Sequence, residues 1–360
     1  MTSRRGRSRA LNGKAVAGIA LGLALLGLSL RGVDLRGVLR EIRSADPLLF
    51  LAAIAAATAP MVVRAWRWRV LLEPSRPGTA FRSRFEATMI GFMANNVLPA
   101  RVGELARAYA LSRAERVPLI ASIGSLVVER LLDGIVVVSF FALAMAWPGF
   151  PTPGVLAGRD PAGAALVAGA LVLGFGIVLA ALARWPGPAV ALVERLAART
   201  LPSSFRRPVI DAFTGFVSGL GALRDPRLLA RAMFWSVWVW LIGAFGFWFG
   251  FLAFGIRVPF VGALFLQSLI ALAVALPSAP GFFGPWEAAA RLGLHGVYGV
   301  ALDKALGFAI GFHMGGFLAV TLPGLYFASR LGVSLREVEA RESRQVELAG
   351  AEGAPPGAAP

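Results

Sequence analysis

The segment ANNVLPARVGELAR, residues 94–107, has the residue types of an anion-binding site. Its polar side chains are those of Asn95, Asn96, Arg101, Glu104 and Arg107. A guanidinium group binds phosphate through parallel hydrogen bonds, and a helix broken by proline and glycine presents free N–H groups and a positive dipole end. We expect Arg101 and Arg107 to contact a phosphate. The two asparagines would donate hydrogen bonds to the rest of the head group that carries this phosphate.

A second group of charged residues lies inside an apolar run. Glu129, Arg130 and Asp133 belong to the sequence ERLLD, within residues 120–147. A charged side chain at the centre of a bilayer costs ~3 kcal/mol on insertion scales, so it faces protein or a wet cavity. Glu129 and Asp133 are one helical turn apart, and Arg130 is placed to pair with Asp133. We expect these carboxylates, together with Glu104, to balance charge or to take up protons during gating.

A third group repeats the order of the first. In the segment LPSAPGFFGPWEAAAR, residues 276–291, the corresponding residues are Pro280, Gly281, Glu287 and Arg291. In both segments a proline and a glycine precede a glutamate, and an arginine follows one helical turn later. Glu287 comes 183 residues after Glu104 (287 − 104).

The same charges also allow a purely structural interpretation. In it, the glutamates of the first and third groups each pair with the arginine that follows and lock helices together, while Arg130 only neutralises a carboxylate. Arg101 and the two asparagines fit this interpretation less well, because they lie in broken backbone with no obvious carboxylate partner.

Few residues support an enzyme. The two histidines, His295 and His313, are too far apart for the HExxH zinc motif of a helix. The chain has no P-loop, no GxSxG motif and no glycine-rich dinucleotide fingerprint after a strand. With no cysteine, it has no disulfide, no thiolate metal site and no cysteine nucleophile. We expect neither catalysis nor a metal or other cofactor.

The composition places these residues in a membrane. Of 360 residues, 57% are hydrophobic and 16% are charged, with a mean hydropathy of +0.70, whereas a soluble domain has about 25% charged residues. Apolar runs of about the length that crosses a bilayer are residues 16–30, 48–63, 120–147, 162–183, 230–254 and 305–328. The net charge of +16 is spread over short loops, a positive-inside pattern. We expect a multi-pass protein of the cell membrane that binds lipids and no nucleic acid.

Loop charges predict the topology. The cytoplasmic segments are residues 1–14, 64–86 and 101–116, and residues 31–46 lie outside. The apolar stretch 85–98 then has both flanks on the same side, and its 14 residues rise only about 21 Å as a helix. A re-entrant hairpin with its turn at residues 95–103 resolves both problems, and a short tilted span is the alternative.

Three further features complete this topology. Residues 184–230 are predicted as a cytoplasmic amphipathic loop, and residues 331–360 as a disordered tail. Four tryptophans of the run 230–254 are interpreted as membrane-interface anchors without a ligand role: Trp235, Trp238, Trp240 and Trp248.

The offset of 183 residues extends beyond the two motifs. It maps predicted spans onto predicted spans: residues 48–63 onto 231–246, and residues 120–147 onto 303–330. The mapped spans cross in opposite directions, as in an inverted-topology repeat with units 47–147 and 230–330. Chance agreement of two short motifs is the alternative. The predicted fold is an all-α polytopic membrane protein with about six to eight transmembrane helices and two re-entrant hairpins, the second entering from outside.

Together, NNVLPARVGELARAYAL, ERLLD and PSAPGFFGPWEAA resemble the flippase-like transmembrane family, which is the family of the lysylphosphatidylglycerol synthase transmembrane region. The resemblance covers residues 15–330 and implies lipid translocation. Its motif positions are Asn96, Pro99, Gly103, Glu104, Arg107, Glu129, Arg130, Asp133, Pro280, Gly281 and Glu287. In bifunctional relatives a soluble domain attaches an amino acid to phosphatidylglycerol. Because only residues 331–360 follow the last span, we expect no such domain and no aminoacyl transfer.

The leading hypothesis is a flippase or transporter that moves a phosphate-containing amphiphile, an anionic phospholipid or a polyprenyl phosphate, between leaflets. Without a nucleotide-binding motif, movement would be downhill or coupled to an ion gradient. The alternatives are a membrane scaffold for a lipid- or glycan-modifying enzyme, and an enzyme that acts on a polyprenyl-phosphate lipid. The sequence is also compatible with a homo-oligomer.

Overall fold

The computed structural model describes residues 34–98, 102–151, 161–275 and 279–332, and a few positions between 23 and 31. The regular elements in these ranges are helices, and no strand occurs among them. Those before residue 150 are α1 (Leu35–Ser44), α2 (Pro47–Thr58), α3 (Pro60–Leu72), α4 (Phe81–Val97), α5 (Gly103–Glu115) and α6 (Leu119–Met145). Those after residue 160 are α7 (Pro161–Arg184), α8 (Pro186–Thr200), α9 (Ser203–Gly219), α10 (Pro226–Ala253), α11 (Phe260–Ala273), α12 (Pro285–Arg291) and α13 (Leu302–Arg330). Short 3₁₀ turns occur at Gly221–Arg224 and Pro280–Phe282, and a π-helical segment at Leu292–Val297.

Four helical segments of the described chain are long and apolar enough to cross a membrane: Pro47–Leu72, Leu166–Arg184, Pro226–Ala253 and Leu302–Arg330. Helix α6 has 27 residues, about 40 Å, but it carries the three charges of the ERLLD motif. The all-helical, multi-pass class is therefore confirmed. The total of six to eight spans stays a prediction, and so does the re-entrant depth of the hairpins.

Some predicted segments fall outside the described residues. The basic segment 1–14, most of the predicted first span 16–30, and residues 333–360 of the predicted tail are among them.

Aspartate and proline set the start of two long helices. The carboxylate of Asp46 accepts hydrogen bonds at 2.9 Å from the N–H groups two and three residues later, and Pro47 holds the first helical position. Asp225 accepts one such bond at 2.8 Å, ahead of Pro226. Aspartate satisfies free N–H groups and proline fixes a helical φ, so this pair defines where α2 and α10 begin.

Helix α3 corrects the loop predicted at residues 64–86. The helix continues through the arginines to Leu72. Arg64 and Arg67 are three residues apart and share one face, which is buried, whereas Arg69 on the other side is exposed. Loop charge alone placed these two arginines in the cytoplasm, but their helical spacing directs them into the protein.

The segment predicted as an amphipathic loop, residues 184–230, consists of two helices, α8 and α9, and a 3₁₀ turn before α10 begins. Most of α8 is exposed, while α9 packs against α6. A Cβ on Gly124 would lie 3.0 Å from the Cα of Gly219, so the α6–α9 contact depends on glycine at both positions. Its cytoplasmic location stays a prediction.

Helices α4 and α5 pack against each other as an antiparallel pair. A Cβ on Gly91 would lie 2.7 Å from Cβ of Arg107 and 2.8 Å from the carbonyl oxygen of Gly103. Only glycine lets the two backbones come this close. The first hairpin is thus a tight pair of helices, whose turn includes residues outside the described part of the chain.

The element order recurs at the offset found in the sequence. Adding 183 to the bounds of α6, 119 and 145, gives 302 and 328, against Leu302–Arg330 for α13. The same offset places α5 at 286–298, against α12 and the π-helical segment at 285–297. Helix α4 packs against α13, and α11 packs against α6. Each short helix therefore contacts the long helix of the other half; that the halves are inverted in the membrane stays a prediction.

Two buried hydrophobic clusters follow the same division. One lies mainly among α3 to α6 and includes Trp68, Ile90 and Leu132. The other lies mainly among α10 to α13 and includes Phe251 and Phe308. Each half of the chain thus has its own packed core.

Candidate functional site

A buried cluster of charges joins α3, α5 and α6. Oε1 of Glu129 lies 2.7 Å from Arg107 Nη1, 2.8 Å from Arg130 Nη2, 3.1 Å from Arg67 Nη2 and 3.4 Å from Arg64 Nη1. Arg107 is on the hairpin, whereas Arg64 and Arg67 are on α3. A single carboxylate oxygen of α6 therefore connects the hairpin helix α5 to α3 and α6.

Asp133, one turn further along α6, binds the same two α3 arginines. Its Oδ1 is 2.6 Å from Arg67 Nη1, and its Oδ2 is 2.8 Å from Arg64 Nη1. Helix α10 also takes part: Trp240 Nε1 donates to Oδ1 of Asp133 at 3.0 Å, and Arg67 Nη1 donates to Ser236 Oγ at 2.7 Å. The network thus connects both halves of the chain.

The cluster carries more positive than negative charge. Among the described residues, three buried guanidinium groups, those of Arg64, Arg67 and Arg107, meet two buried carboxylates, a formal excess of one positive charge. The side chain of Arg130 is 41% exposed, and it also interacts with Glu104. Glu129 and Arg67 are 0% exposed and Arg107 is 3% exposed. Arginine does not lose its proton in proteins, so the excess persists at any physiological pH. Uncompensated buried charge is costly, and an anion entering the cluster would relieve that cost.

Several polar atoms of the cluster have no hydrogen-bond partner among the residues that the structure describes. They are Nε of Arg64 and Arg67, Nε and Nη2 of Arg107, and Oε2 of Glu129. Two aromatic rings partly compensate, since the guanidinium of Arg107 lies 4.1 Å from the Trp68 ring centroid and that of Arg64 lies 5.3 Å from that of Phe92. Unused N–H donors in a cationic cluster are the groups that bind phosphate oxygens.

Arg64 connects this cluster to a cavity of about 150 Å³, whose wall also includes Ala57, Trp240 and Phe247. A second cavity, of about 220 Å³, shares Ala57 and Phe247 with it and extends to His313. Both cavities lie beside the junction of α2 and α3, where α3 begins at Pro60. An anionic group in the first cavity would contact Arg64.

The structure brings only part of the first motif to the cluster. Arg107 reaches Glu129, but Arg101 lies outside the described residues. Asn95 Oδ1 accepts from the N–H of Gly103 at 2.8 Å, and Asn96 Nδ2 donates to Thr321 Oγ1 at 2.9 Å. The asparagines thus hold the hairpin turn and its contact with α13, and their contact with a head group stays a prediction.

The glutamates of both motifs have partners other than those of the structural interpretation. Arg107 pairs with Glu129, while Glu104 is half-buried and interacts electrostatically with Arg130. In the other half, Nδ1 of His313 lies 2.6 Å from Oε1 of Glu287. The pairs expected within each motif are therefore corrected to pairs between helices.

The third motif forms a site separate from the arginine cluster. Oε2 of Glu287 accepts from the N–H of Gly284 at 2.7 Å, which caps α12. Gly281 has a φ of +69°, a conformation that favours glycine, and Pro280 begins the short 3₁₀ turn that contains it. Arg291 Nη1 donates to the carbonyl oxygens of Leu28 and Arg31 at 2.9 and 3.2 Å.

Sequence reasoning missed Arg64, Arg67, Trp240 and His313. The spacing of Arg64 and Arg67 within an apolar stretch was a usable signal, because helical periodicity puts both on one face. Trp240 was interpreted as an interface anchor, yet it donates to a buried carboxylate. No local pattern marked His313, whose partner is 26 residues away in the chain.

Comparison with known proteins supports the family resemblance of the sequence. A profile of the Lysylphosphatidylglycerol synthase TM region matches residues 15–324. The chain is also 23% identical, over 319 residues, to a "UPF0104 membrane protein" of Methanothermobacter thermautotrophicus strain Delta H. That alignment covers 82% of this chain and 87% of the relative.

Proposed function

Because the chain belongs to the family of the lysylphosphatidylglycerol synthase transmembrane region, we propose that it moves a phosphate-containing amphiphilic lipid between the leaflets of the cell membrane. The observation that carries this proposal is the buried excess of arginine. In the described part of the chain, Arg64, Arg67, Arg107 and Arg130 form ion pairs with Glu129 and Asp133, and the partly exposed Arg130 also interacts with Glu104. Three of these arginines have N–H donors without a partner in the described ranges of the chain.

The electrostatics of the cluster favour a lipid phosphate over a neutral head group. A phosphate diester adds one negative charge and acceptor oxygens that fit a guanidinium fork. Arg64 is the arginine on the cavity wall, so it would make the first contact. Arg67 and Arg107 are more deeply buried, and their bonds to Asp133 and Glu129 would fix the geometry of the site.

An apolar groove beside the cluster supports an amphiphilic substrate. A cavity of about 450 Å³ lies between α6 and α7, and its wall includes Leu131, Ile135 and Val172. Leu131 follows Arg130 on the same helix, so an acyl chain in the groove lies within about 10 Å of the charges, the diameter of a helix. The arginine cluster would thus bind the charged part of a lipid, and the groove between α6 and α7 would bind its apolar part.

The hairpins support transport without nucleotide hydrolysis. In our proposal α4–α5 and α11–α12 are re-entrant elements that enter from opposite sides, with a cytoplasmic N-terminus. The matching helix bounds at an offset of 183 residues support this inverted arrangement. Small displacements of the two halves would then expose the arginine cluster to either leaflet in turn.

Leaflet exchange of labelled phospholipids in liposomes tests the proposal. Liposomes receive fluorescent phosphatidylglycerol, and dithionite quenches the label in the outer leaflet only. We expect the purified protein to accelerate exchange. Arg64→Gln is expected to lower the rate by about tenfold or more, because one charge-assisted hydrogen bond contributes about 1.5–3 kcal/mol.

Arg82→Gln is the matched control, since its side chain is 65% exposed and its buried partner Glu86 also pairs with Arg330. It should leave the rate unchanged. Equal rates in protein-containing and empty liposomes would contradict transport. Chemical turnover of a polyprenyl-phosphate lipid by the purified chain would favour an enzyme, and a copurifying lipid-modifying enzyme would favour a scaffold.

A further inference from the structure

A buried acid–histidine pair occupies the second half of the molecule. Glu287 is 2% exposed and His313 is 8% exposed. Nδ1 of His313 lies 2.6 Å from Oε1 of Glu287. The histidine ring stacks on Trp286 at 4.7 Å and an interplanar angle of 11°. The pair joins α12 to α13 and fixes the orientation of the imidazole.

The second ring nitrogen of this histidine, Nε2, is available to a group in the cavity. Nδ1 bonds to the carboxylate, and no bond to Nε2 occurs among the described residues. His313 forms part of the wall of the 220 Å³ cavity, together with Asn96, Phe247 and Phe317. His313 is the eleventh residue after the start of α13, which puts it about 16 Å along the helix.

Other charged groups on the surrounding helices have different partners. Lys304 of α13 is 3.9 Å from Glu41 of α1, and Arg330 is 3.4 Å from Glu86 of α4. Within the described chain, the ion pairs of Glu287 involve His313 alone. Other ionisable groups of these packed elements, none in an ion pair with the two residues, are Arg36, Arg40, Arg43, Asp46, Arg82, Arg84, Arg227, Arg231, Arg291, His295, Tyr298, Asp303 and Tyr326.

The equivalent position of the first half carries a permanent charge. Subtracting 183 from 287 and 313 gives Glu104 and Arg130, and these two side chains also interact electrostatically. Arginine stays protonated, whereas histidine gains or loses a proton near neutral pH. The second half thus has a titratable cation where the first has a fixed one.

We propose that Glu287 and His313 form a proton-binding site that controls lipid binding at the arginine cluster. A proton entering from the cavity binds Nε2 of His313 and changes the charge of the pair from minus one to zero. The two cavities share Ala57 and Phe247, so this change occurs beside the cavity that Arg64 lines. Loss of a negative charge there strengthens the attraction of the cluster for an anionic head group.

This inference rests on the proposed lipid transport and specifies its coupling. Because linkage is reciprocal, an anionic lipid at the arginines must in turn favour the protonated histidine. Proton uptake on one side of the membrane and release on the other would then accompany lipid movement. The coupled ion would be the proton.

Nuclear magnetic resonance of ¹⁵N-histidine tests the proton site directly. The chain has two histidines, and His295→Gln assigns the two rings. The full chain is placed in nanodiscs of phosphatidylcholine or phosphatidylglycerol. We expect Nε2 of His313 to gain and lose a proton reversibly within the pH range of the experiment while Nδ1 keeps its hydrogen bond. An unchanged protonation state from pH 5 to 9 would overturn the proposal.

The exposed His295 serves as the internal control for surface potential. We expect the midpoint of His313 to move toward higher pH in phosphatidylglycerol by more than that of His295. Equal displacement of both rings would overturn the coupling. This comparison does not need transport, so a protein that moves no lipid but shows the larger displacement refutes the proposed function and retains the proton site.

Liposome exchange tests the coupling in transport. We expect the unmodified chain to exchange phosphatidylglycerol at least threefold faster at pH 5.5 than at pH 7.5. His313→Gln should remove this dependence, and His313→Arg, which copies the fixed charge of Arg130, should give the faster rate at both pH values. His295→Gln should behave like the unmodified chain. An unaltered pH dependence in folded His313→Gln would refute the proposal.

Discussion

Oδ1 of Asp133 lies 2.6 Å from Nη1 of Arg67, although 66 residues separate the two in the chain. Arg67 is 0% exposed and Asp133 is 4% exposed, so the pair is buried. It connects α3 to α6 in the first half of the chain. A buried pair of this kind constrains the structure, because loss of one partner leaves the other charge uncompensated.

Asp133→Asn is therefore expected to lower the free energy of unfolding by about 3 kcal/mol or more. The substitution keeps the size of the side chain and removes the charge that balances Arg64 and Arg67. Unfolding by sodium dodecyl sulfate in mixed micelles measures the effect. Asp211→Asn, at an exposed position of α9, is the matched control and should change stability by less than about 0.5 kcal/mol. Similar unfolding curves for the two variants would show that the charge of Asp133 does not stabilise the buried arginines.

Trp240→Phe tests the contribution of α10 to the same network. The variant keeps an aromatic ring but loses the indole N–H that donates to Asp133 at 3.0 Å. A hydrogen bond to a charged group contributes about 1.5–3 kcal/mol, so unfolding should become easier by about that amount. Trp238→Phe, at a ring 40% exposed, should have little effect. If both tryptophans behave alike, Trp240 acts only as an interface anchor, as its sequence position suggested.

Gly91→Ala tests the close packing of the first hairpin. The added methyl group would meet Arg107 Cβ at 2.7 Å and the carbonyl oxygen of Gly103 at 2.8 Å, so α4 and α5 must separate. We expect a loss of stability of about 1–3 kcal/mol and slower lipid exchange, since Arg107 moves away from Glu129. Gly174→Ala on α7, where no atom lies within 4 Å of the new methyl group, should be neutral or stabilising. Equal behaviour of the two alanine variants would contradict the tight hairpin.

The class of the protein follows from local sequence properties. Apolar runs and the scarcity of charge require helices in a membrane, because every backbone polar group must be satisfied within the helix. Asp46 with Pro47, and Asp225 with Pro226, define helix starts through bonds that span only two or three residues. Such short-range features are visible to anyone reading the sequence.

The repeated order of proline, glycine, glutamate and arginine also has a local origin. It marked both hairpin regions and placed Glu104 and Glu287 among the functional candidates. It did not identify the partners of these glutamates. Arg107 is three residues from Glu104 in sequence, yet it pairs with Glu129, 22 residues away.

Tertiary structure decided which charges meet. A sequence pattern shows that an arginine lies on a helix face, but packing determines whether that face meets protein, lipid or water. Loop charge placed Arg64 and Arg67 in the cytoplasm, whereas α6 and α10 cover them and give them Asp133 as a partner. His313 likewise acquires a role only through Glu287 and the adjoining cavity. The sequence by itself determined a helical membrane protein with two polar motifs, and long-range packing determined the arginine cluster and the acid–histidine pair, because contacts between distant helices leave no local periodic signal.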